Sequence, residues 1–125
     1  MKTFIQLMMI SIFMMIAAPV FAGSAVSVYN CQQSDEASEE DVIATAQAWL
    51  KSAKAVKGGE NMEVRVMFPV AASLKDNDFL FVVIAPSFSE WGEFMDNYAG
   101  TAAADEDKDY SDIADCDDSA LWESF

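Results

Sequence analysis

Two cysteines, Cys31 and Cys116, lie 85 residues apart, and no other cysteine is present. If they are bonded, the fold must bring the two ends of the chain side by side. The N-terminus says whether a bond is expected. Lys2 is followed by a nearly unbroken apolar run from Phe4 to Ile16. Pro19 then breaks the run, and Val20-Phe21-Ala22 offers the small residues that a signal peptidase reads. Residues 1–22 are therefore expected to be a cleaved secretory signal, leaving 23–125 as a single domain. Retention as an anchor is the alternative, because Phe4 to Ala22 is nearly long enough to cross a bilayer. Export places the mature chain in a periplasmic or extracellular space, where an isolated cysteine pair in a small domain is normally oxidised. Closing so long a loop is worth roughly 4–5 kcal/mol by chain entropy.

All 21 acidic residues fall after residue 22, against 7 bases in the whole chain, one of which (Lys2) is in the leader. Such a field repels nucleic acid and anionic membranes, so neither is expected as a partner once the signal is removed. Histidine is absent, which removes the commonest general base and metal ligand. No phosphate-binding loop or metal-spaced cysteine cluster is present, and no cofactor is expected.

Along the mature chain, Ser24 to Cys31 alternates as a strand, with Val26 and Val28 on one face and Ala25, Ser27 and Tyr29 on the other. Glu39 to Lys57 has a helical stripe: Val42, Ala46, Trp49, Leu50, Ala53 and Val56. Ser38 and Asp41 supply a capping box, and Gly58-Gly59 a stop. Met62 to Phe68 alternates again, and Lys75-Asp76-Asn77-Asp78 is a turn. Phe79 to Ala85 is wholly apolar, as a strand buried on both faces would be. Ser87 and Glu90 cap a second helix whose inner stripe is expected to be Phe88, Trp91, Met95 and Tyr98, widened by Phe94 and ended by Gly100. Residues 101–118 are expected to form an acidic connection with a short helical turn near Tyr110 to Ala114, and Ser119 to Phe125 a last strand.

This order, βαββαβ, is the ferredoxin-like plan of one antiparallel sheet in an α+β domain. Its first and third strands are central, and its fourth runs antiparallel to the first. That arrangement sets Cys31 and Cys116 side by side. The element order, the two-sided apolar third strand and the aromatic second helix (Phe88-Ser89-Glu90-Trp91-Gly92-Glu93-Phe94) resemble the dimeric α+β barrel superfamily, which includes antibiotic-biosynthesis-type monooxygenases. The resemblance implies a homodimer formed by two facing sheets, with a cavity between each sheet and its helices. Its haem-using members rely on a histidine that this chain lacks.

Candidate pocket residues are Tyr29 and Asn30 at the end of the first strand, Arg65, Trp91, Tyr98 and Trp122. The helix stripes suit Trp49 and Trp91 to core packing, which leaves Trp122 as the freer ligand contact. Arg65 is the single arginine; it reads as an edge-strand charge, or else as a buried cation needing Glu63 or an anion. Asp105, Asp107 and Asp109 alternate as calcium ligands do, but Tyr110 stands where the loop needs glycine and Cys116 where it needs glutamate. They remain a weak metal candidate. The leading functional expectation is an exported homodimer that binds a small apolar ligand or a protein partner. A cofactor-independent monooxygenase-like enzyme and an acidic calcium-responsive structural protein are the alternatives.

Overall fold

The computed structural model describes residues 23–71 and 77–125. The leader at 1–22 and the first half of the expected turn, Lys75-Asp76, lie outside the described residues. The elements are β1 (Ser24–Gln33), α1 (Glu39–Ala53), β2 (Glu63–Met67), β3 (Asp78–Ala85), α2 (Phe88–Tyr98), α3 (Ala102–Tyr110) and β4 (Ala114–Ser124). The four strands form one antiparallel sheet in the order β2-β3-β1-β4. This is the ferredoxin-like arrangement, with the two most apolar strands inside.

The period of two in each strand sorts side chains to opposite faces. Ala25, Ser27, Tyr29 and Cys31 of β1, register partners of Ala85, Val83, Phe81 and Phe79 of β3, face the helices. The core gathers in two clusters. One holds Trp49, Val56, Met62, Val83 and Phe94; the other holds Val42, Phe79, Tyr110 and Ala114. Tyr29 and Phe81 pack against both.

Local signals set the helix ends. Ser38 Oγ accepts from the Asp41 N–H at 3.2 Å while the Ser38 N–H donates to Asp41 Oδ2 at 2.8 Å. Those bonds hold the exposed Asp41 carboxyl below its ordinary pKa. Ser87 caps α2 in the same way, accepting from the Glu90 N–H. The first helix stops at Ala53 rather than Lys57, because the chain tightens into i→i−3 turns before Gly58-Gly59. Those glycines are sterically required. A Cβ on Gly59 would stand 2.1 Å from the Ala53 carbonyl oxygen, and one on Gly58 (φ +88°) 2.5 Å from the Phe94 nitrogen. The end of α1 is thereby seated directly on α2.

Three expectations need correction. Residues 101–118 are not a connection. Thr101 caps a true helix, α3, whose buried face is Ala103 and Tyr110, and the turn follows it at 111–113 instead of occupying Tyr110 to Ala114. The last strand begins at Ala114, so Cys116 lies inside it rather than before it. Pairing with β1 imposes this extended form on an acidic stretch with little strand propensity of its own, and charges suit an edge strand. On α2, Phe94 at 1% exposure is the centre of the stripe; Trp91 and Tyr98 flank it, while Phe88 and Met95 are exposed.

Cys31 and Cys116 are direct register partners and form a disulfide. The register shifts between Asn30 and Cys31, so Asp117 is the extra residue of a β-bulge on β4. Replacing both cysteines by serine is expected to lower the unfolding free energy by roughly 2–5 kcal/mol. Urea titration of the oxidised protein and the variant measures this; coincident midpoints would show that the bridge adds nothing.

Candidate functional site

The helices do not fill the concave face of the sheet. A cavity of about 240 Å³ remains, lined by Tyr29, Phe81 and Val83 from the sheet, Trp49 from α1, Trp91, Phe94, Met95 and Tyr98 from α2, Asp107 and Tyr110 from α3, and Cys116. Its wall is a continuous set of ring contacts. Trp49 meets Phe81 and Phe94 edge-on with centroids 5.6 and 6.1 Å apart. Phe81 touches Tyr29 at 6.0 Å and Tyr110 at 5.5 Å, and Phe94 touches Trp91 at 6.2 Å and Tyr98 at 5.2 Å. Offset and edge contacts of this kind make a stiff, apolar wall.

The polar groups divide into used and unused. Tyr98 is used: its Oη accepts from Trp49 Nε1–H at 3.1 Å and donates to the Ala103 carbonyl at 3.2 Å, tying α1, α2 and α3 together. Burial raises its pKa; the Trp49 bond opposes that, and the charge of Asp107 adds to it. Tyr110 is not used. The residue is 7% exposed, and its hydroxyl is buried with no hydrogen-bond partner among the described residues. Burial alone pushes its pKa up. Asp107 stands at the rim, where desolvation raises its carboxyl above the ordinary aspartate value.

Of the six candidate pocket residues, the structure brings together Tyr29, Trp91 and Tyr98. The other three lie elsewhere. Asn30 follows Tyr29 by one residue, so it points to the opposite face and lines an open depression with Asp78, Asp115 and Asp117. Arg65 is exposed on the edge strand β2, 3.5 Å from Glu63. Trp122, 61% exposed, shares the helix-free face with its register partner Val26. The acidic triad is also separated. On a helix, residues two apart point about 200° apart, so Asp107 enters the cavity rim while Asp105 pairs with Lys108 at 2.9 Å. Among the described residues no group of three or more acidic, cysteine or histidine side chains could hold a metal ion.

Trp49, Phe94 and Tyr110 are not among the pocket candidates, and Asp107 is a candidate only as a metal ligand. Trp49 and Phe94 have the helical spacing of core residues, which they also are. Tyr110 and Asp107 carried a weaker signal: with Ala103 they form a 103/107/110 stripe at helical spacing, visible only once residues 102–110 are known to be a helix.

At the level of sequence, the chain matches no family model and no curated protein. Solved structures do match the fold. SnoaB, a cofactor-independent oxygenase from Streptomyces nogalater, superposes with a TM-score of 0.51 at 10% identity over 83% of this chain and 95% of that one. A variant of SnoaB gives a TM-score of 0.53 at 14% identity over 81% and 92%. The chain thus shares the ferredoxin-like α+β fold of these structures. At such identities the likeness is one of architecture alone.

Two substitutions probe the unused groups. Tyr110→Phe removes an unsatisfied buried hydroxyl and is expected to stabilise the protein by about 1 kcal/mol; a loss of stability would mean the hydroxyl has a partner. Asp107→Asn removes a carboxyl whose pKa is raised on folding. The charged form is the one that folding disfavours, so Tm is expected to rise at pH 7. The gain should shrink as pH falls below the ordinary aspartate range, where the wild-type group is protonated in both states. Thermal scans across that range read the sign.

Proposed function

We propose that the mature chain is an exported, disulfide-bridged binding protein. Its homodimer holds a small, mainly apolar ligand in the helix–sheet cavity of each protomer. The observation that carries this reading is the ring-walled cavity itself. A domain packed only for stability would close it, since interiors are normally dense. Its volume is somewhat below the usual range of roughly 300–1,000 Å³ for drug-sized ligand sites, so the ligand is small.

The other face of the sheet supports the dimer. The half-buried Val26, Val28, Leu80 and Ile84 form an apolar surface with Met67 and Trp122, which are 49% and 61% exposed. No described helix packs there, and a contiguous apolar patch is usually an interface. A second copy presents the same patch and satisfies two-fold symmetry. The bridge between Cys31 and Cys116 supports export to an oxidising space. Among the described residues no helix is long and apolar enough to cross a membrane.

A second reading, a cofactor-independent oxygenase-like enzyme, is favoured by one observation. The solved structures of similar fold carry that description, and this cavity holds a carboxyl with a raised pKa. Recovery of a bound compound unchanged after prolonged incubation in air supports the binding reading; conversion supports the enzyme.

Native mass spectrometry of the exported protein tests the assembly. The expected species is a dimer of chains that begin near Gly23, with no free thiol. Ile84→Glu, in the middle of the exposed sheet face, is expected to give monomers. A wild-type monomer at micromolar concentration would remove the dimer. Toluene and indole serve as ligand probes. Each is expected to raise Tm with concentration, as binding to the native state alone must; no shift with either would remove the cavity as a ligand site.

A further inference from the structure

We propose that the cavity selects a small organic cation, a quaternary or protonated amine, and that Asp107 is its counter-ion. This rests on the cavity being a ligand site and specifies the chemistry it accepts.

The argument begins with α3. Its inward stripe is Ala103, Asp107 and Tyr110, spaced by four and three residues, and two of these are buried against the core. Asp107 stands exposed at the cavity rim, beside the aromatic wall, where partial desolvation disfavours its ionised form. Among the described residues no lysine or arginine lines the cavity to compensate. The neighbouring Lys108 is turned toward Asp105 instead. An anionic ligand would worsen this position and a neutral one would leave it unchanged. A cation relieves it.

The wall suits the same charge. Trp49, Phe81, Trp91, Phe94 and Tyr98 are joined by ring contacts around the space. Aromatic enclosures attract ammonium groups through the ring quadrupole, and attract them more strongly where water is excluded. The net charge of −14 adds a long-range field that concentrates cations at the mouth and repels anions. Deeper in, Tyr110 lies one turn along the same helix face as Asp107, and its ring, in contact with Phe81, adds to the aromatic wall.

Choline and 3,3-dimethyl-1-butanol separate the cation from its shape, since they differ in having nitrogen or carbon at the quaternary centre. Calorimetric titration of the intact, disulfide-bonded protein is expected to show choline binding at least tenfold more tightly than the alcohol. Asp107→Asn should lower that ratio several-fold, the ring wall keeping the remainder, while leaving the circular dichroism spectrum unchanged. Equal binding of the alcohol and choline, or a ratio unaltered in Asp107→Asn, would overturn the cation assignment and leave the cavity reading in place. The same holds if neither compound binds but toluene or indole does. If none of the four binds, both fall.

Discussion

The pairing of β1 with β4 is the constraint on which the rest of this protomer depends. Apart from Ala114, the residues of β4 with described side chains are exposed, so burial does little to hold the strand in place. What remains is the backbone ladder to β1 and one covalent bond, Cys31 to Cys116, between register partners. A strand held in this way is sensitive to anything that loosens its ends. The bridge falls near its beginning, just after α3. Fixing Cys116 therefore also fixes where α3 lies, and α3 supplies Asp107 and Tyr110 to the cavity. The covalent link at the sheet edge and the chemistry under the helices are mechanically connected.

That connection explains which parts of the architecture were legible from the residues alone. The caps at Ser38 and Ser87, the apolar third strand and the cysteine pair are local or covalent signals, and each specifies its own structure. The α3 helix and the first half of β4 are different. Asp105, Asp107 and Asp109 are mediocre helix formers, and Asp115 and Asp117 are poor strand formers. These segments adopt their forms because Ala103 and Tyr110 find the core and because β1 offers an unpaired edge. Tertiary contacts override propensity there, and no window of sequence contains the partner.

The site was partly legible for a related reason. Tyr29 and Asn30 are adjacent, and strand parity sends them to opposite faces. The residues indicate that the two differ, but which face is concave is decided by the helices. Arg65 and Trp122 fell on the helix-free side by the same parity. The alternating aspartates carried the opposite error. Spacing by two suits a ligand loop, whereas on a helix it scatters the side chains and leaves Asp107 alone at the cavity rim.

The two faces of the sheet then divide the work by chemistry. The outer face is apolar along β1 and β3 and carries the Arg65–Glu63 pair at its β2 edge. The inner face is already covered, yet it retains a void, a hydroxyl with no partner among the described residues and a carboxyl in a partly desolvated position. Each of these lowers stability relative to the simple alternative of a phenylalanine at 110, an aliphatic residue at 107 and a filled cavity. Packing has no use for any of them, and their convergence on one space is the pattern that preorganised sites show when local stability is exchanged for recognition. The bridged edge strand makes that exchange tolerable, since it constrains the unfolded chain and so offsets what the open cavity costs.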